Sequence, residues 1–168
     1  MNDTNKMISI LNTLMVSDNY PVASPVAHDT MTDLMCTSAP AELDEMKRGV
    51  YTDIQQLVIK HRDYADMFNI MDGLEYNGLT LYGMTQAENS KPVWSNIYIQ
   101  NIEARDNDIY VDPNLADKVV IGEDGISVFV YVFKDDRFQI RDKVSTDYVI
   151  AEYGSFGDLL SALIDTVK

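Results

Sequence analysis

Covalent chemistry in this chain would have to come from very few side chains. There is one cysteine, Cys36, and there are two histidines, His28 and His61. A thiol nucleophile needs a base within hydrogen-bond reach and a third group to orient that base. Cys36 lies in a proline-containing stretch far in sequence from His61, and no motif joins the two. His61 falls on an apolar helical stripe between Val58 and Ala65, which marks it as a partly buried packing residue rather than a base.

Carboxylates are plentiful, and their spacing bears on two kinds of chemistry. Asp106, Asp108, Asp112 and Asp117 resemble a calcium loop, but an EF-hand beginning at Asp106 needs an oxygen ligand where Tyr110 stands and glycine where Val111 stands. The segment therefore reads as a solvated acidic loop. The pairs Glu123-Asp124 and Asp135-Asp136 have the residue types for acid–base work. Adjacent residues of a strand point to opposite faces and hairpin loops lie open to water, so both pairs read as surface. The expectation is a non-enzymatic protein without metal or cofactor.

The elements that position these groups follow from periodicity. Met7, Ile10, Leu11, Leu14 and Met15 recur at helical steps, giving a short amphipathic helix that ends near Asp18-Asn19. Tyr20 to Pro40 carries three prolines and reads mainly as loop, with a helical turn around Thr30 to Met35. Ser38 and Pro40, followed by Glu42, Asp44 and Glu45, predict a helix start there, with an interruption at Gly49. A second stripe, Ile54, Leu57, Val58, His61, Ala65, Phe68 and Met71, runs to Asp72-Gly73 and predicts the main helix packed on a sheet.

Beyond Gly73 the period changes to that of strands. Leu79–Tyr82, Lys118–Gly122, Ile126–Phe133, Arg137–Asp142 and Asp147–Tyr153 are rich in Val, Ile, Tyr and Phe, and the compact turns between the later ones suit antiparallel hairpins. Val93 to Asp108 fits either a strand or a short helix, with a helix over Ile99 to Asp106 preferred. Ser155 caps a last helix carrying Phe156, Leu159, Leu160, Leu163, Ile164 and Val167. The expected fold is α+β: N-terminal helices on a mostly antiparallel, twisted sheet of about five strands, closed by a C-terminal helix. A chain of 168 residues is the size of one domain, so residues 1–168 are expected to form a single unit.

Composition is ordinary except for charge. Hydrophobic residues make up 46 % and charged residues 24 %, close to globular averages. Acids outnumber bases 27 to 13, a formal charge of −14, and the excess is spread along the whole chain. Such a field repels phosphate backbones and anionic lipid, so direct nucleic-acid or membrane binding is disfavoured and a basic protein partner is favoured. A single cysteine, no signal-like N-terminus and no long apolar run predict a cytoplasmic protein.

The stretch FNIMDGLEYNGLTLYG, Phe68 to Gly83, carries three glycines and nothing reactive. Gly73 and Gly78 supply backbone conformations that a Cβ opposes, so they serve as turn punctuation, and a phosphate-cradling loop would need the reverse order of strand and helix. The combination of Tyr64 and Phe68 on a helix, the Asp72-Gly73-Leu74 turn, Asn77-Gly78 and a strand closing in Leu81-Tyr82-Gly83 resembles the central signature of the SUKH superfamily. Asn101, the strand Val119-Val120-Ile121-Gly122-Glu123, the strand Ile126 to Phe133 and the run Tyr153-Ser155-Phe156-Leu159-Leu160 resemble its second signature. The order and wording are most similar to the YrhA branch, and the match covers roughly the C-terminal two-thirds of the chain. Residues 1 to about 40 match no part of it.

That resemblance implies an immunity protein of a bacterial toxin system, which sequesters a cognate toxin domain, often a nuclease, in the producing cell. The charge fits independently, because an acidic rigid body can cover a basic active-site cleft and associate fast. A regulatory or scaffold module that binds an ordinary cellular protein is the alternative, and an enzyme would need a cleft bringing Cys36, His61 and a carboxylate together. Most aromatics near the sheet, Tyr110 and Tyr131 among them, are expected in or half in the core, while exposed ones beside acidic turns would anchor a partner. The candidate contact residues are Trp94, Tyr98, Asp106, Asp108, Glu123, Asp124, Asp135 and Asp136.

Overall fold

A computed structural model describes residues 3–85 and 96–168. Helix α1 (Asp3–Ser17) buries Ile8, Leu11 and Met15, the stripe its periodicity marks. Helix α2 (His28–Cys36) follows, then α3 (Glu45–Lys60), α4 (Arg62–Phe68), and the short strands β1 (Leu74–Tyr76) and β2 (Leu79–Leu81). Helix α5 (Ile97–Arg105) leads through residues 106–118 into β3 (Val119–Glu123), β4 (Ser127–Val132), β5 (Arg137–Asp142) and β6 (Val149–Tyr153). Helix α6 (Phe156–Val167) closes the chain, its Ser155 cap accepting a hydrogen bond from the Asp158 N–H as the sequence predicts.

The sheet is α+β in its simplest antiparallel form. Each strand pairs with its neighbour in sequence, in the order β1-β2-β3-β4-β5-β6. Helix α6 lies against β5 and β6, α1 packs on α4 and α6, and α3 packs on α2, α4 and α5. The rings of Tyr64, Phe68, Phe138 and Phe156 meet where helices and sheet touch, with Tyr64 edge-on to Phe68 and Phe156 at 5.2 and 4.9 Å. Edge-to-face geometry adds about 0.5–1.5 kcal/mol per pair beyond area burial.

Several boundaries differ from the sequence-based expectation. Residues 28–36 form a full helix rather than one turn, because Met31 and Leu34 are buried and the Gln55 side-chain amide donates to the Leu34 and Thr37 carbonyls. The prolines that suggested loop all lie outside it. The next helix starts at Asp44, whose carboxylate accepts from the Lys47 N–H at 2.8 Å, and not at Ser38-Pro40. Gly49 does not interrupt it: Gly49 keeps α3 clear beside Arg105, whose guanidinium reaches Asp53 at 2.8 Å.

The predicted stripe through Met71 breaks at His61, which leaves the helical region at φ −114°, ψ 90°. Its N–H still bonds to Leu57 while its carbonyl accepts from Tyr64 and Ala65, so one residue ends α3 and begins α4. Among the described residues the sheet has six strands rather than about five, since β1 is too short to show periodicity and forms only by pairing with β2. Asn77 (φ 48°) and Gly78 (φ 83°) make the hairpin between them, the positive-φ pair that matches strand twist.

Candidate protein-binding surface

Three turns of this fold share one local device. In the β3–β4 turn, the Asp124 carboxylate accepts from the Ile126 and Ser127 N–H groups at 2.9 and 2.7 Å. In the β5–β6 turn, Asp142 accepts from Val144 and Ser145 at 2.9 and 2.7 Å. In the connection after α5, the Asn107 amide oxygen accepts from Ile109 and Tyr110 at 2.9 and 3.3 Å. An Asx side chain that bonds the backbone two residues on fixes the turn locally and requires nothing of the residue between. Each turn therefore holds an aliphatic residue out in water: Ile126 is 74 % exposed, Val144 95 % and Ile109 95 %.

Hydrogen bonds tie the β3–β4 and β5–β6 turns together and hold the later part of the connection after α5 against the second of them. The Lys143 N–H donates to the Ile126 carbonyl at 2.9 Å, and its ammonium bonds the Asp124 carbonyl at 3.0 Å and the Glu123 carboxylate at 3.1 Å. Thr146, in the β5–β6 turn, donates to Asp112 at 2.6 Å and accepts from the Asn114 amide, which fastens the acidic connection beside it. Tyr110, Tyr148, Val149 and Ile150 are also exposed, and Asp106, Asp108 and Asp147 stand in water around them. Scattered exposed aliphatics are ordinary, whereas a group of them on rigid turn tips with an acidic rim is the anatomy of a binding patch.

The expected contact residues divide over the molecule. Glu123 and Asp124 belong to this surface, and Asp106 and Asp108 are exposed in the connection whose later residues Asp112 and Asn114 join it. Asp135 and Asp136 sit in the β4–β5 turn, at the opposite end of strands about 20 Å long. Tyr98 is half-buried on α5, stacked on Tyr51 with ring centroids 5.6 Å apart beside a cavity of about 450 Å³ between α2, α3 and α5. Burial pushes its hydroxyl pKa up. Trp94 lies outside the described residues. Tyr131 is fully buried, as expected, while Tyr110 is not.

Sequence reasoning missed Ile109, Ile126, Val144, Tyr148, Val149 and Ile150. The signal was present as Asn-Asp-Ile, Asp-Gly-Ile and Asp-Lys-Val, an Asx residue two before an aliphatic one, in the three turns.

At the far end, Asp136 gathers donors. The Tyr131 hydroxyl and His61 Nε2 both lie 2.8 Å from its Oδ1, and the Lys60 ammonium stands 3.5 Å from Oδ2. The hydrogen bonds from Tyr131 and His61 lower its pKa to about 2. Asp136 adopts φ 51°, so the turn places its carboxylate back over the α3–α4 junction. His61 packs its ring edge-on against Tyr131 and Phe138 at 5.1 and 4.9 Å, which is the packing role predicted for it, with the bond to Asp136 added. Cys36 is exposed at the end of α2. Among the described residues no group of three or more His, Cys, Asp or Glu side chains is arranged to hold a metal ion, and no helix is long and apolar enough to cross a membrane.

Two buried polar residues explain the glycine-rich stretch. The Asp72 carboxylate accepts from the Met84 N–H at 2.6 Å and from the Thr85 N–H and hydroxyl, locking the exit of β2. Gly73 (φ 76°) lies so close to that exit that a Cβ would stand 2.7 Å from the Gly83 nitrogen and 2.8 Å from the Leu81 carbonyl oxygen. Asn101, fully buried, donates to the Ile97 and Val120 carbonyls and accepts from the Val120 N–H, each at 2.8 Å. It bridges α5 to the irregular stretch of β3 between Val120 and Gly122.

No family model matches the chain. No solved structure matches it either. It is similar to the uncharacterised protein YrhA of Escherichia coli strain K12, 28 % identical over 132 residues that span 79 % of this chain and 91 % of that one.

Proposed function

We propose that the chain is a non-catalytic protein-binding module, an immunity protein that neutralises a cognate, basic toxin domain of nuclease type by covering its active site. The observation that carries this is the pair of Asx-anchored turns that hold Ile126 and Val144 bare in solvent beside Glu123 and Asp124, with Ile109, Asp106 and Asp108 exposed in the same way in the connection after α5. Each part has a physical role. Aliphatic and tyrosine side chains on turns whose backbone is already fixed spare the cost of ordering a loop on binding and supply the buried centre on which affinity depends. The acidic rim raises the encounter rate with a basic cleft and opposes nucleic acid there. Similarity to YrhA fits the YrhA-like order of the motifs, and the resemblance of those motifs to the SUKH superfamily points to the same assignment.

Co-expression with a toxin domain encoded beside the gene tests it. Wild-type protein should rescue growth and co-purify with the toxin. Glu123→Lys/Asp124→Lys should slow association about tenfold or more at low salt, with a smaller effect at high salt. Asp135→Lys, at the other end of the sheet, should leave binding within about twofold. Rescue untouched by Glu123→Lys/Asp124→Lys but lost on Asp135→Lys would place the contact elsewhere. Absence of any toxin-directed rescue, with a housekeeping protein captured instead, would replace immunity by a regulatory or scaffold role.

A further inference from the structure

The two edges of the sheet are treated differently. At β1 the segment after α1 closes over the strand: Tyr20 stacks edge-on against Tyr76 at 4.9 Å, the Tyr76 hydroxyl donates to Asp18 at 2.6 Å, and the Tyr20 hydroxyl donates to Asn77 at 3.0 Å. Farther along the same segment, Ser24 accepts from the Asp72 N–H and Val26 donates to the Phe68 carbonyl. Leu74 and Tyr76 are buried as a result.

Strand β6 has no such cover. Val149 and Ile150 are 36 % and 47 % exposed, and among the described residues no backbone hydrogen bond leaves Val149–Tyr153 for any element other than β5 and α6. Exposed edges are ordinarily guarded by lysine, proline, inward charge or a β-bulge, and of these β6 carries only the irregularity at Ile150. The strand Val-Ile-Ala-Glu-Tyr has no lysine or proline, and its one acid, Glu152, is occupied by the Gln139 amide at 2.7 Å. The strand is also continuous with the patch described above through Tyr148, whose carbonyl accepts from the Asp142 N–H.

We infer that β6 is a docking strand: an extended, basic segment of the protein partner adds to it as a seventh strand, with its main chain bonding the open edge and its alternate apolar side chains lying along the face that carries Ile150. This rests on the protein-binding function proposed above and specifies its geometry. Strand addition uses the unpaired N–H and C=O groups of an edge directly. Charge selects the occupant: Glu152 lies in β6, Asp147 precedes it and Asp142 ends the neighbouring strand, and two copies of a chain carrying −14 repel, whereas a lysine- or arginine-bearing strand is attracted.

Ile150 is the residue with which to test it, because the register pairs Val149 with Arg141 and Ala151 with Ile140 and leaves Ile150 without a partner in β5. Ile150→Pro therefore alters the strand at the one position of β6 between two register pairs that has no partner in β5. Ile150→Lys, which retains its N–H, keeps the inference testable if the proline variant fails to fold. The first arm adds a nine-residue peptide of alternating lysine and valine and follows amide hydrogen exchange. Exchange within Val149–Tyr153 should slow at least threefold, and a peptide of the same composition with all lysines first should give no protection. Equal protection by both peptides, protection confined to other strands, or protection that appears without peptide as protein concentration rises would overturn the inference, the last result assigning the edge to a second copy. The second arm measures affinity for the co-expressed toxin domain, where both variants should bind at least tenfold more weakly. Unchanged affinity overturns strand docking while immunity stands. Protection by the alternating peptide without any toxin binding leaves the docking strand standing and removes immunity.

Discussion

Removing the Asn101 side chain should be among the most damaging single changes in this protein. Asn101 is wholly buried and supplies both a donor and an acceptor to one residue of β3, Val120, which is buried, pairs with Val130 of β4 on one side and lies beyond the β2 pairing on the other. In Asn101→Ala, the Val120 N–H and C=O both lose their partner in a place water does not reach. Each orphaned group costs about 1–3 kcal/mol, so the sum, with the small void left behind, comes to about 3–5 kcal/mol. Against a typical domain stability of about 5–15 kcal/mol, that is a large share. Urea unfolding should show the midpoint falling by about 2 M at an unchanged slope of about 2 kcal/mol/M. A loss below about 1 kcal/mol would refute the reasoning, since it would mean Val120 finds other partners. Asn101→Asp sharpens the test. A carboxylate would meet two carbonyl oxygens, so the protonated acid is preferred and its folded pKa rises above the unfolded value. Its stability is then greatest below about pH 4 and declines as pH rises through the raised pKa.

Other changes have equally definite outcomes. Tyr64→Phe should raise stability by about 1 kcal/mol in thermal or urea unfolding, because the Tyr64 hydroxyl is buried with no hydrogen-bond partner among the described residues. Gly73→Ala should cost about 2–4 kcal/mol, since it combines a φ of 76° with a Cβ placed 2.7 Å from the Gly83 nitrogen, while Gly125→Ala, with open space around it, should stay within about 0.5 kcal/mol of wild type. Asp136, held at a pKa of about 2 by Tyr131 and His61, stabilises the fold above the unfolded carboxylate pKa near 4 and loses that contribution as pH falls toward 2. Wild-type stability should therefore drop faster than that of Asp136→Asn between pH 4 and 2, with asparagine chosen because it tolerates the φ of 51°.

Much of this molecule is written locally. The strands from Val119 onward, the Ser155-capped α6 and the stripe of α1 each arise from a period and a cap contained within about a dozen residues. The sequence alone also determines the −14 charge and the scarcity of reactive groups. Tertiary contacts decided the rest. Helix α2 needs Gln55 from α3, β1 exists only as the partner of β2, and the helical stripe is cut at His61 because its ring packs against Tyr131 and Phe138 and reaches Asp136, a residue 75 positions away. The candidate surface shows the same division. Charge pattern picks out Glu123, Asp124, Asp135 and Asp136 alike, but only strand direction places the first two beside Ile126 and Val144 and sends the other two to the opposite end. Period and charge are properties of neighbours in the chain, whereas exposure and adjacency depend on which strands pair, and that is settled only when the whole sheet closes on its helices.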